Sequence, residues 1–154
     1  MYIKDGKKYN CCESVLLFVN EKLSLPGFNE SNIRAASNLG GGGSGWGSLC
    51  GAINGGCQIY GLLMGPSGDE SPEEFLEIKE RMKEKNQIFI RAFEEKWGSC
   101  NCFDILGYDT RTPEGKRIHE ERKADGTNFC GDIVRWSAKK IIELVESDPD
   151  IHVR

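Results

Sequence analysis

Seven cysteines stand at positions 11, 12, 50, 57, 100, 102 and 130 of a 154-residue chain. The thiolate of cysteine is a nucleophile, a redox group and a soft metal ligand. Seven in 154 residues is too sparse for a disulfide scaffold, and the number is odd. The chain reads as cytoplasmic, a compartment that keeps thiols reduced and uses them for metal binding or redox work. The first ten residues are polar, and no secretory signal is expected. Acidic and basic residues are interspersed with a net charge of −4, so there is no footprint for nucleic acid. The longest apolar run, Val15 to Val19, is too short to insert in a membrane.

The elements that must position these cysteines read as helices. Asn10 is an N-cap with Glu13 in capping-box position, and Val15, Leu16, Val19 and Leu23 form an apolar stripe that ends at Pro26-Gly27. A short helix follows from Asn29 to Asn38. Residues 40–48 hold six glycines and cannot be a helix or strand interior. A glycine-bearing helix is predicted from Ser48 to Met64, where glycines signal close approach by another backbone or a cofactor. Ser71, Pro72 and Glu74 start a long helix that Gly98 closes, with Phe75, Ile78, Met82, Phe89, Phe93 and Trp97 along one stripe. Ser99 to Gly107 reads as another short helix, Thr110 to Asn128 as a polar surface loop, and Phe129 to Ser147 as the last helix. No period-two strand pattern occurs. The expected fold is all-α, a single-domain helical bundle over residues 1–154 with a glycine-rich loop.

On this map Cys11, Cys12, Cys50, Cys100, Cys102 and Cys130 fall in or beside a first helical turn. Free N–H groups and the partial positive charge there favour thiolate and are expected to lower the thiol pKa. Cys57 falls mid-helix and reads as packing. The helix starts should converge on one cysteine site.

The order Asn10-Cys11-Cys12-Glu13, a glycine run, Cys50-Gly51-Ala52-Ile53-Asn54-Gly55, Cys102, Leu106-Gly107-Tyr108-Asp109 and Cys130 resembles the redox-active family named for its C, GCAxxG, C, C pattern. The resemblance covers about residues 9–147. Leu49 stands where the pattern has its first Gly. The resemblance maps the four defining cysteines onto Cys11, Cys50, Cys102 and Cys130, with Cys12, Cys57 and Cys100 extra and held as substitutes. A related domain in split-Soret cytochromes is associated with an iron–sulfur cluster, so the resemblance implies such a cluster on the four cysteines. No C-x-x-C-H site is present and the histidines are His119 and His152, so no haem is expected. The glycine run lacks the end of a P-loop, so no nucleotide is expected either.

Three functions follow as expectations. The first is an iron–sulfur redox protein, an electron carrier or a reductase, working with a redox partner protein or a small-molecule electron acceptor. The second is a metal-free dithiol–disulfide oxidoreductase. The third is a structural zinc module, which the absence of closely spaced cysteine pairs disfavours. The stripe of the long helix could also form a homodimer seam.

Overall fold

The computed structural model describes residues 1–151, so His152 lies outside the described residues. A two-stranded antiparallel hairpin, β1 (Ile3–Lys4) and β2 (Lys7–Lys8), comes first. Helices α1 (Cys11–Leu23), α2 (Glu30–Ala36), α3 (Gly51–Met64), α4 (Pro72–Trp97), α5 (Cys102–Leu106), α6 (Pro113–Ala124) and α7 (Cys130–Ser147) follow. The fold is all-α in substance. No helix among the described residues is long and apolar enough to cross a membrane.

Both strong start signals act as read. Asn10 Oδ1 accepts from the Glu13 N–H at 3.0 Å, and Glu13 Oε2 accepts from the Asn10 N–H at 2.7 Å. Ser71 and Glu74 make the same reciprocal pair at the head of α4, with Pro72 in the first turn and Gly98 left-handed at the end. Helices α1, α3, α4 and α7 then bury their apolar faces together. Leu16 and Val19, Ile53 and Tyr60, Phe89 and Phe93, and Ile141 and Val145 are buried there. Each such side chain contributes roughly 1.5–3 kcal/mol on burial. Phe89, Phe93, Trp97 and Trp136 meet with ring centroids 6.0–6.4 Å apart.

The glycines of α3 let neighbours close in. A Cβ at Gly55 would lie 2.9 Å from the Cys12 carbonyl oxygen on α1, and one at Gly56 would fall on the Phe89 ring of α4. This is the close approach that the glycine pattern predicts.

Two elements and two helix starts differ from the sequence expectation. Residues 113–124 form α6 rather than a loop. Thr112 Oγ1 accepts from the Gly115 N–H at 3.0 Å with Pro113 in the first turn, so the Pro-Glu-Gly turn signal is a helix start. Ion pairs Arg117–Glu114, Arg117–Glu121 and Lys123–Glu120 line its polar face. Residues 48–50 and 99–101 are not helical, because Leu49 bridges Asn101 and the two segments pair antiparallel; α3 and α5 therefore begin at Gly51 and Cys102. The hairpin was invisible to a period-two search because its strands have two residues each; Asp5 and Gly6 at φ of 50° and 74° make its turn.

Candidate functional site

Cys11, Cys102 and Cys130 are the first residues of α1, α5 and α7, and Cys50 is the N-cap of α3. All four line one cavity of about 430 Å³. The remaining three do not. Cys12 turns into the core, fully buried, where Gln58 Nε2 donates to its sulfur at 3.3 Å. Cys57 accepts from Asn86 Nδ2 at 3.2 Å on the far side of α3. Cys100 is half-buried outside the cavity, and its carbonyl accepts the Cys50 N–H at 2.9 Å.

Each cavity cysteine is placed by backbone. Asn10 Nδ2 donates to the Ser37 carbonyl at 2.9 Å, and Ser37 Oγ donates to Glu13 Oε1 at 2.6 Å. These bonds tie the head of α1 to the end of α2 and explain the burial of Glu13. Cys50 and Cys102 are held side by side by the bridge between their segments. The Cys102 N–H donates to the Ser48 carbonyl at 2.7 Å, and the Phe103 N–H to the Gly47 carbonyl at 3.2 Å. Asn128 Oδ1 accepts the Cys130 N–H at 3.0 Å and sets the start of α7.

The glycine motif makes room for sulfur. A Cβ at Gly51 would fall on Cys11 Sγ, so the residue after Cys50 must lack one. Residues 41–45 run through five consecutive positive φ values, from 52° to 82°, and fold the loop into a tight coil. A Cβ at Gly42 would lie 2.8 Å from the Cys102 Cβ. Trp46 sits outside the cavity, 68% exposed, with Arg111 stacked 4.6 Å from its ring centroid and 5.2 Å from that of Phe103.

The electrostatics correct one expectation. Helix starts were expected to lower the thiol pKa values, and burial raises them instead. It pushes Cys102 to about 12 and Cys130 to about 11, and moves Cys11 and Cys50 upward too. Charge on one thiol opposes charge on its neighbours, which shows how closely the four couple. The N–H groups of Gly41, Cys12 and Gly51 favour the Cys11 thiolate, and that of Ala52 the Cys50 thiolate, without outweighing burial. The seven cysteines form no disulfide. Among the described residues no three His, Cys, Asp or Glu side chains gather as they would around one metal ion.

Sequence reasoning missed part of the wall. Helix α6 carries His119 and Lys123 into the cavity lining, and the hairpin adds Lys8. Tyr108 Oη lies 2.9 Å from His119 Nδ1. The Thr112-Pro113 pair was the signal for α6, and it reads as a turn until a tertiary neighbour is known. Gly115 confirms that neighbour, since a Cβ there would fall on the Asp109 carbonyl.

Four cysteines at four helix starts around one cavity define a class of helical protein with a thiol-lined pocket. Residues 9–144 match the family described as "Putative redox-active protein (C_GCAxxG_C_C)", and the chain belongs to that family. No curated protein and no solved structure matches the chain.

Proposed function

We propose that the protein is an iron–sulfur redox protein whose cluster is held by Cys11, Cys50, Cys102 and Cys130, acting in electron transfer or reduction. The carrying observation is that these four thiols, from four separate helix starts, line one cavity. The donor set fits the group: four sulfurs are the ligand number of the common clusters. A cluster spreads its four thiolates over more than one iron, so they need not gather as tightly as the ligands of a single zinc ion, which no group among the described residues does. The N–H groups of Gly41, Gly51 and Cys12 around Cys11 Sγ are the kind of donors that tune such a site. When bound, the cluster supplies one-electron transfer at a potential set by charge, hydrogen bonding and exposure.

Burial favours the protonated form of the metal-free thiols, which works against an exchange reaction that needs a thiolate nucleophile. A metal centre removes that obstacle, because coordination displaces the thiol proton.

The test is an absorption spectrum with iron and acid-labile sulfide analysis on anaerobically purified protein. A broad visible band that bleaches with dithionite, with iron and sulfide in matching amounts, is expected. Colourless protein without iron overturns the reading and returns the case to the dithiols.

A further inference from the structure

The cavity that holds the four thiols has a second wall made by two cations, Lys8 and Lys123, and by the imidazole of His119. Lys123 shares its charge with Glu120 at 2.8 Å, while Lys8 has no carboxylate partner among the described residues. The histidine is set by its neighbours. Asn128 Oδ1 accepts the Cys130 N–H at 3.0 Å, which fixes the orientation of the amide and leaves Nδ2 facing His119 Nδ1 at 3.5 Å. An amide nitrogen only donates, so we assign Nδ1 as the acceptor, taking its main bond from the Tyr108 hydroxyl at 2.9 Å. The ring proton then sits on Nε2, and the imidazole is a donor. Burial holds the Tyr108 hydroxyl above the usual phenol range, and Arg122, 5.0 Å from its ring centroid, offsets part of that rise.

We propose that this wall is a subsite for a small oxyanion, bound by Lys8 and Lys123 and receiving a hydrogen bond from His119 Nε2, and that the anion is the acceptor in a two-electron reduction. The inference rests on the redox reading for its electrons only. One bond from the central atom to oxygen breaks, two electrons enter the central atom, and the oxygen leaves as water with two protons. The two electrons come from two equivalents of an external one-electron donor, such as a reduced carrier protein. His119 gives one proton from Nε2 while Nδ1 takes the Tyr108 phenol proton; solvent gives the anion its second proton and recharges Nε2 as Nδ1 returns its proton to Tyr108. The donor that sequence reading placed in a loop is thereby brought to the cysteines by α6.

Nitrate is the probe, because it is small, inert to thiols and reduced to nitrite with this balance. Calorimetric titration of the full chain at constant ionic strength, against chloride, should show saturable one-to-one binding. The double change Lys8→Met with Lys123→Met should weaken it about tenfold or more, the worth of a hydrogen bond to a charged group. Both lysines are exposed, so this variant is expected to fold. His119→Phe should weaken binding similarly. Tyr108→Phe should bind within about twofold of the parent, yet form nitrite from viologen-supplied electrons about a hundredfold more slowly, the low end for a lost proton donor. Absence of saturable binding beyond the chloride control, or unchanged binding in the lysine variant, overturns the subsite. Loss of binding in protein that keeps its iron and colour sinks this inference alone. Colourless protein that still binds nitrate supports the subsite and sinks the cluster.

Discussion

Cys11 and Cys12 are neighbours in the chain and stand in two different regions of the molecule. Cys11 faces a cavity bounded by helix starts, glycine backbone and the wall of Lys8, His119 and Lys123. Cys12 faces the packed seam of α1 and α3, with Gln58 on its sulfur. Successive helix positions point about a quarter-turn apart, so a helix in contact on both sides assigns adjacent side chains to different surroundings. The glycines of α3 divide the same way. Gly51 makes space for a sulfur, and Gly56 makes space for a phenyl ring. One motif thus serves the site at its first glycine, and the glycine that follows the motif serves the core.

Gly51→Ala tests this division most severely. Its methyl would occupy the place of Cys11 Sγ, so iron per folded molecule should fall to the level of Cys50→Ala while the helical circular dichroism persists. Full iron content in that variant would break the comparison. Phe89→Ala should do the reverse, costing about 3–5 kcal/mol in denaturant titrations with iron per folded molecule unchanged. Cys12→Ala should cost about 1–2 kcal/mol, for one buried sulfur and the small void it leaves, again with iron retained. An iron-free Cys12→Ala protein would move that residue from the core to the site.

The smallest effect concerns pH. The buried thiols of the metal-free protein have raised folded-state values, about 11 for Cys130 and about 12 for Cys102, against about 8.5 in the unfolded chain. Below about 8.5 both states are protonated and this contribution to stability is whole. It is lost as pH rises from there toward the folded values, because the unfolded chain releases its protons first. The melting temperature of metal-free protein should therefore fall above pH 8.5. The slope should flatten in Cys102→Ala, and a flat profile in the parent would show that the thiols are not buried.

Much of the fold is legible in local sequence. The capping boxes at Asn10 and Ser71, the proline after Ser71, the glycine after Trp97 and the apolar stripes each act within a turn or two, so the residues themselves decide them. The placing of cysteines at helix starts is equally local. Helix α6 was illegible because it has almost no apolar stripe, and its helical state shows in ion pairs and in its packing against the Asp109 carbonyl.

What the sequence by itself determined, then, is a set of helices that carry cysteines at their heads, with side-chain caps at the starts of α1 and α5 among them. Only the tertiary structure decided which cysteines share a cavity, because the bridge between Leu49 and Asn101 joins segments far apart in the chain. Only it decided the thiol pKa, since desolvation depends on what the rest of the chain packs over the sulfur and outweighs the local pull of the helix start. It also carried His119 to the cavity. A cap is set by its own turn, and a site is set by elements that meet only after the chain has folded.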